Sequence, residues 1–211
     1  MTLITNTLKS YLFYTLSAFG ISLTILANVG VSSYNSMNLA IANASDIKIG
    51  TITIFFNSAF LLIYMMLTHF SYKYKYAVQA LSVVMFGALI NFFTYGLLDS
   101  IEVLQYAHRI GLIILGTSVG GLSIGMIVHY NVITFPLESL CLRVSELSGI
   151  TFIKLRYLVD ILSIAVSIII STMNHLPLYV REGTIISMLL FSAMMNLSKE
   201  HLAKKDITSL N

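Results

Sequence analysis

The sequence predicts an all-α fold, a polytopic bundle of about six membrane-spanning helices. Three observations lead to this fold class. Of the 211 residues, 57% are hydrophobic and only 10% are charged, against roughly a quarter charged in an average soluble chain. Long apolar stretches separate the charges, and the two halves of the chain share a pattern. Because so few charges cannot cover a water-facing surface, we expect most of the chain to lie in a lipid bilayer.

The spans follow from six charge-free stretches. An ionised side chain costs about 2.5 to 3.5 kcal/mol in a membrane on insertion scales, and a helix needs about 20 apolar residues to cross. The predicted spans are residues 11–29, 50–70, 77–98, 109–129, 151–173 and 183–199. The chain then forms a single membrane domain, 1–211, with short tails at 1–10 and 200–211.

An internal repeat relates the two halves. At a shift of 103 residues, Asn35 aligns with Glu138 and Asn57 with Asp160. Further pairs are Ser17 with Ser118 and Gly20 with Gly121 at a shift of 101, and Gly87 with Gly183 at 96. We therefore predict two three-span units, at about 11–98 and 109–199. Because three is odd, the second unit enters the membrane from the opposite side, which makes the repeat inverted.

The basic residues predict the orientation. With the N-terminus in the cytoplasm, nine of the twelve are inside and three are outside, which agrees with the positive-inside rule. The three outside are Lys48, Arg109 and Arg181. We therefore expect both termini to be cytoplasmic.

Two short segments, 34–44 and 136–147, separate the first span of each unit from the second. Both have the length of a helix but are too short to cross the bilayer. In the second segment, Pro136 suits the first turn of a helix, and the apolar residues fall on one face. Each segment is either an amphipathic helix on the membrane surface or a re-entrant helix whose N-terminus faces a central cavity.

The fifth span carries the main candidate site. Arg156 and Asp160 are four residues apart and share a helix face, which Ser163, Ser167 and Ser171 continue. Asp160 is too deep for its short side chain to reach the headgroups, so it forms a structural ion pair or lines a hydrated path. The other candidate residues of a substrate or coupling-ion pathway are Asn57, Asn91, Glu138, Asn35 and His129.

Glycines in the fourth span indicate close helix packing. The pairs are Gly116 with Gly120 and Gly121 with Gly125, each at a spacing of four. Such small residues let two helix backbones approach. They offer a surface for helix docking within the bundle or for a homodimer.

Composition and motifs exclude several function classes. The net charge is only +3 and the basic residues are scattered, so we expect no nucleic-acid binding. A single cysteine, Cys141, excludes an internal disulfide and a cysteine-based metal cluster. His129 has no second ligand one turn away, and no zinc-protease or P-loop motif occurs. We therefore expect no enzymatic activity, metal or cofactor.

The sequence resembles the YczE/YyaS/YitT family of bacterial integral membrane proteins over nearly its whole length. The residues that carry the resemblance are GISLTILANVGVSSYN at 20–35, GALINFFTYGLLD at 87–99, FPLESL at 135–140, KLRYLVD at 154–160 and GTII at 183–186. Ser33, Tyr34 and Asn35 replace the family's Pro-aromatic-acidic element, and Glu182 stands where a small residue is usual. The resemblance implies a polytopic protein of the bacterial cytoplasmic membrane, of a family often described as transporters or exporters.

Three functions fit these features. The leading hypothesis is an exporter or facilitator of an unknown small molecule, in which two units rock about a mid-membrane site. In that mechanism Asp160 is the candidate coupling carboxylate and Arg156 its partner. The alternatives are a substrate-binding membrane subunit of an ATP-driven transporter and a non-transporting accessory protein that docks partners through its glycine-rich surface.

Overall fold

A computed structural model shows an all-helical chain. It describes residues 2–130 and 134–208, with the side chains of 5–130 and 134–198. Eight α-helices occupy these residues, and no strand occurs among them. The helices are α1 Thr2–Ala27, α2 Ser33–Ser45, α3 Ile49–Leu67, α4 Lys73–Phe92, α5 Tyr106–Tyr130, α6 Pro136–Ser148, α7 Phe152–Met173 and α8 Glu182–Thr208. A π-helical turn, Phe93–Leu97, continues α4.

The described residues confirm a helical membrane protein. Four helices are long and apolar enough to cross a bilayer, namely α1, α3, α5, and α4 with its π-helical turn. They occupy the first four predicted spans. The helices α7 and α8 occupy the fifth and sixth, whose crossing of the membrane stays a prediction.

The first and last helices extend beyond the predicted spans. Helix α1 begins at Thr2, within the predicted tail 1–10, and α8 continues to Thr208 through most of the predicted tail 200–211. Residues 209–211, and the side chains of that whole tail, lie outside the described residues. Hydropathy detects only the lipid-facing length of a helix, whereas backbone hydrogen bonding propagates the helix beyond it.

The two short segments are helices of 13 residues each, α2 and α6. Both end in a left-handed residue, Asp46 and Gly149, whose N–H bonds to the carbonyl four residues earlier. Helix α2 is buried on most of its surface and packs against α7 and α3, so it lies inside the bundle. Helix α6 is buried in its first two turns and exposed at its C-terminal end.

Helices α1 and α5 form the central crossing and run antiparallel. The ring of Phe13, early in α1, stacks on Tyr130 at the end of α5 with 6.2 Å between centroids. Further along, a Cβ on Gly20 would lie 2.6 Å from the Gly116 carbonyl oxygen. Helix α5 also packs against α8, where Gly121 and Gly125 face the α8 backbone. The glycines of the fourth span therefore lie at crossings within the bundle.

The interior combines an apolar core with buried hydroxyl and amide groups. The core centres on Tyr14 of α1, whose ring packs against Phe86 of α4 and against Phe135 just before α6. Many large apolar side chains point outward instead, among them Phe55 and Leu62 of α3. Such an outward apolar surface over a partly polar interior is typical of a helix bundle solvated by lipid.

Candidate functional site

Three charged side chains meet where the first turn of α6 contacts α7. Arg156 Nη1 donates to Glu138 Oε1 at 3.2 Å, and Arg156 Nε lies 3.7 Å from Asp160 Oδ2. Arg156 and Asp160 are one turn apart on α7, as their spacing predicts. One guanidinium group therefore holds carboxylates from two helices. We call these three residues the Arg156 cluster.

The first residue of α2 completes the coordination of Asp160. The hydroxyl of Ser33 donates to Asp160 Oδ1 in a short hydrogen bond. Further along the same two helices, Ser167 Oγ donates to the Ser36 carbonyl oxygen at 3.0 Å. The predicted polar face of α7, which includes Ser163, is therefore buried against α2.

Asp160 lies well within α7 and not at its end. Asp160 is about 12 Å along α7 from Phe152, at 1.5 Å per residue. Its side chain is 17% exposed, and those of Arg156 and Glu138 are 33% and 37% exposed. With both carboxylates ionised the cluster carries one net negative charge. A charge at this depth needs partners, because desolvation costs several kcal/mol per ion.

The cluster and the helices near it contain buried polar atoms without hydrogen-bond partners. Four of them are Tyr14 Oη, Tyr34 Oη, Asn38 Oδ1 and Glu138 Oε2. Tyr34 interacts electrostatically with Glu138 and Arg156 and is a neighbour of Asn38, although the two side chains do not meet hydrogen-bond geometry. Tyr14 also lies within electrostatic range of Glu138. Because each unpartnered buried group costs about 1–3 kcal/mol, these atoms indicate a binding site for a polar species.

The asparagines of the first half lie on the other side of this junction. Asn38 of α2 donates through Nδ2 to Thr53 Oγ1 of α3 at 3.3 Å. Asn57 is buried one turn further along α3, where its Nδ2 donates to the Thr53 carbonyl oxygen at 2.9 Å. Asn35 is buried in the first turn of α2. The predicted residues Asn35 and Asn57 thus belong to an uncharged α2–α3 wall beside the charged α6–α7 wall.

Two predicted pathway residues have other surroundings. Asn91 Oδ1 accepts from the Gly50 N–H at 2.8 Å, and its Nδ2 donates to Thr51 Oγ1 at 3.1 Å, so Asn91 caps the first turn of α3. His129 lies in the last turn of α5, where its ring is 5.6 Å from that of Tyr130. The spacing of polar residues on one helix could not reveal which neighbouring helix each would meet.

Residues outside the predicted pathway set also form the site. Ser33 and Tyr34 begin α2, and their hydroxyl groups face the charged wall. Tyr14 and Asn38 supply two of the unpartnered atoms. The sequence feature that could have indicated Ser33 and Tyr34 is their position at the start of a helix too short to cross the bilayer. Such a position puts polar side chains where the chain turns inside the bundle.

Other features do not contribute to this site. A surface cleft lies beside Ser22 and Thr94, and another beside Leu61 and Tyr76. Neither cleft contains a residue of the Arg156 cluster. In the described part of the chain, no three histidine, cysteine or acidic side chains stand close enough to share a metal ion.

The long apolar helices and the interior charged cluster define a polytopic helical membrane protein. Residues 6–200 match the model of a family described as "Family of unknown function (DUF6198)", and the chain belongs to that family. No curated protein and no solved structure matches the chain. The resemblance to the YczE/YyaS/YitT family stays an expectation, since the family description does not test it.

Proposed function

We propose that the protein transports a small molecule across the bacterial cytoplasmic membrane without chemically converting it. The observation that carries the proposal is the Arg156 cluster with its unpartnered neighbours, inside a bundle of membrane helices. Ionisable residues inside a membrane protein are costly and typically belong to a substrate or ion path. A purely structural ion pair needs no unsatisfied polar atoms near it.

The helix bounds support a six-span architecture of two repeats. Helices α2 and α6 begin and end 103 residues apart, and α3 and α7 also begin 103 residues apart. This is the shift that aligns Asn35 with Glu138 and Asn57 with Asp160. The shift of 96 fits less well, since Gly87 lies in the C-terminal half of α4 whereas Gly183 lies in the first turn of α8.

The helix contacts support the same relation between the halves. Helix α1 packs on α4 as α5 packs on α8, α2 packs on α7 as α6 packs on α3, and α2 packs on α3 as α6 packs on α7. The equivalent helices α1 and α5 run antiparallel, which is the relation expected in an inverted repeat. We propose that both termini are cytoplasmic, in agreement with the basic residues.

In this mechanism the two halves rock about the junction of α2, α6 and α7. Both short helices begin at the site, so the positive ends of their dipoles lie near the carboxylates of Asp160 and Glu138. The solute lies between the charged α6–α7 wall and the uncharged α2–α3 wall. Its polar groups supply partners for Tyr34 and Asn38, which gives the site its affinity in a low-dielectric interior.

The test compares two carboxylate-to-amide variants in a bacterial host. Asp160→Asn keeps the shape of a cluster member, and Glu146→Gln makes the same change in a surface ion pair with Arg143 on α6. Mass spectrometry of small molecules inside and outside the cells compares wild type, both variants and cells without the protein. We expect wild type and Glu146→Gln to move the same solute across the membrane at similar rates. At equal expression, the rate of Asp160→Asn should be lower by about tenfold or more.

A second step isolates the protein. The solute found in cells is loaded into liposomes that contain only the purified chain. Flux through wild type but not Asp160→Asn supports a self-sufficient transporter. Transport proposals for this site are wrong if no solute redistributes in cells, or if Asp160→Asn matches wild type.

A further inference from the structure

We infer that Glu138 holds a proton at neutral pH and that this proton, not one on Asp160, is the ion the protein exchanges. The exchange rests on the proposed transport function, whereas the protonation of Glu138 does not. The observation behind the inference is the unequal partnering of the two carboxylates in the Arg156 cluster.

The two carboxylates differ in how many of their oxygen atoms have partners. Asp160 has a partner for each oxygen, since Oδ1 accepts a hydrogen bond from the Ser33 hydroxyl and Oδ2 forms an ion pair with Arg156 Nε at 3.7 Å. Glu138 has a donor only on Oε1, from Arg156, while its Oε2 is enclosed and has none. An ionised oxygen without a donor is among the most costly groups to bury. A proton on Oε2 removes the charge and turns that oxygen into a donor.

The surroundings of Tyr34 contain two more buried atoms without a partner. Thr53 Oγ1 donates its hydrogen to the Ile49 carbonyl at 2.9 Å, so it can only accept from Asn38 and must face Nδ2. Asn38 Oδ1 is thereby turned away from Thr53, fully buried and unpartnered. Tyr34, whose own hydroxyl has no partner, is a neighbour of Asn38 and lies within electrostatic range of Glu138.

With Glu138 ionised, Oε2 is a buried acceptor that no hydrogen reaches. With Glu138 protonated, its O–H becomes a donor, and we infer that the nearby hydroxyl oxygen of Tyr34 accepts it, since that oxygen has no other partner.

The net charge of the Arg156 cluster also favours a protonated Glu138. A neutral Glu138 leaves Arg156 and Asp160 as a neutral pair, whereas an ionised Glu138 leaves one uncompensated negative charge. The other charged groups of α6, Arg143 and Glu146, form an ion pair of their own at 2.9 Å and so do not balance the cluster. Tyr14 of α1, Tyr34 of α2 and Cys141 of α6 lie within electrostatic range of Glu138, and none of them is a cation. A buried cluster is more stable when its net charge is zero.

Release of the proton involves a single transfer. When the site opens to water, the Glu138 O–H bond breaks and the proton moves to a water molecule. The carboxylate that remains competes with Asp160 for Arg156. Because Glu138 is on α6 whereas Arg156 and Asp160 are on α7, this competition changes the contact between those two helices.

Infrared spectroscopy of the full chain in lipid membranes tests the inference directly. A protonated carboxylic acid gives a C=O stretching band that is separate from the amide bands and shifts in heavy water. At neutral pH we expect wild type to show this band and Glu138→Gln to lose it. Asp160→Asn and the surface control Glu146→Gln keep it. The inference is overturned if Glu138→Gln retains the band, or if Asp160→Asn loses it.

A second variant covers the case in which Glu138→Gln does not fold. Tyr34→Phe removes the acceptor of the proposed bond and leaves Glu138 in place. We expect the Glu138 band of this variant to persist at a higher frequency, because the hydrogen bond from the Glu138 O–H to the Tyr34 hydroxyl is lost. An unchanged frequency contradicts the Tyr34 arrangement. A wild type without any band shows that Glu138 is ionised or holds another cation.

These readouts separate the inference from the transport proposal. A band that depends on Glu138, in a protein that moves no solute, leaves the protonation correct and the transport function wrong. Solute flux that is independent of pH, from a protein without the band, supports the transport function and shows that the protonation of Glu138 is wrong.

Discussion

Gly50→Ala is the sharpest test of the bundle that holds the site. Gly50 of α3 and Gly87 of α4 face each other, and a Cβ on Gly50 would collide with the Gly87 carbonyl oxygen and lie 2.6 Å from Asn91 Oδ1. The Gly87 oxygen is a backbone atom in a helix, so it cannot rotate away. The added methyl group must therefore push α3 and α4 apart.

The expected cost follows from two terms. Overpacking of a tight interior costs about 1–3 kcal/mol, and displacing the Asn91 amide loses its hydrogen bond to the Gly50 N–H, worth about 1 kcal/mol. The free energy of unfolding should fall by about 2–4 kcal/mol in total. At about 2–4 °C per kcal/mol for a chain of this size, the melting temperature should fall by about 4–16 °C.

The chain carries its own probe for this measurement. Cys141 is the single cysteine of the sequence, and it is buried, so a thiol-reactive fluorescent dye reports unfolding in detergent. Gly111→Ala is the matched control, because a Cβ there meets nothing within 4 Å. Its melting temperature should stay the same or rise slightly, since alanine favours a helix by about 1 kcal/mol over glycine.

The reasoning is refuted if Gly50→Ala melts within about 2 °C of wild type, half the smallest shift expected. Equal shifts in Gly50→Ala and Gly111→Ala refute it as well, because the effect then comes from alanine and not from the contact. Gly87→Ala should behave like Gly50→Ala, since the two glycines block each other.

Two further predictions use the same dye assay. Arg156→Met removes the cation that the carboxyl groups of Glu138 and Asp160 share, and it should lower the free energy of unfolding by about 1–3 kcal/mol. This is less than for a fully buried pair, because a third of the Arg156 side chain is exposed. Adding Asp160→Asn should recover part of that loss, and strictly additive effects contradict the ion pair. Gly30→Ala should cost about 1–3 kcal/mol, since Gly30 has a φ of +104° and its Cβ would lie 2.9 Å from the Arg181 nitrogen. Gly149→Ala should cost less, because its φ is also positive but nothing lies within 4 Å, and equal costs contradict the steric part of the argument.

Much of the fold could be predicted from the distribution of charge. Charge-free stretches mark apolar helices because lipid excludes ionised groups, and a helix lies at each predicted span and at both short segments. The pairing of Arg156 with Asp160 was also predictable, since residues four apart on a helix are neighbours. Both are local properties of the chain.

Glu138 shows where that reasoning ended. The repeat placed it opposite Asn35, but its contact with Arg156 joins residues 18 positions apart on different helices. Asn91 is the opposite case. Its helical face predicted that it lines the pathway, whereas in the structure its side chain accepts a hydrogen bond from the first turn of α3. A polar residue on one helix specifies a face, and only packing decides its partner.

The sequence by itself determined that this protein has long apolar helices typical of a membrane, that two short helices interrupt them, and that Arg156 and Asp160 share a helix face. Periodicity and charge are written along the chain, so they can be read without coordinates. The tertiary structure decided that α2 lies inside the bundle, that Ser33 and Arg156 share Asp160, and that Glu138 Oε2 has no partner. These facts depend on how separate helices pack, because hydrogen-bond partnering inside a bundle is a property of neighbours in space.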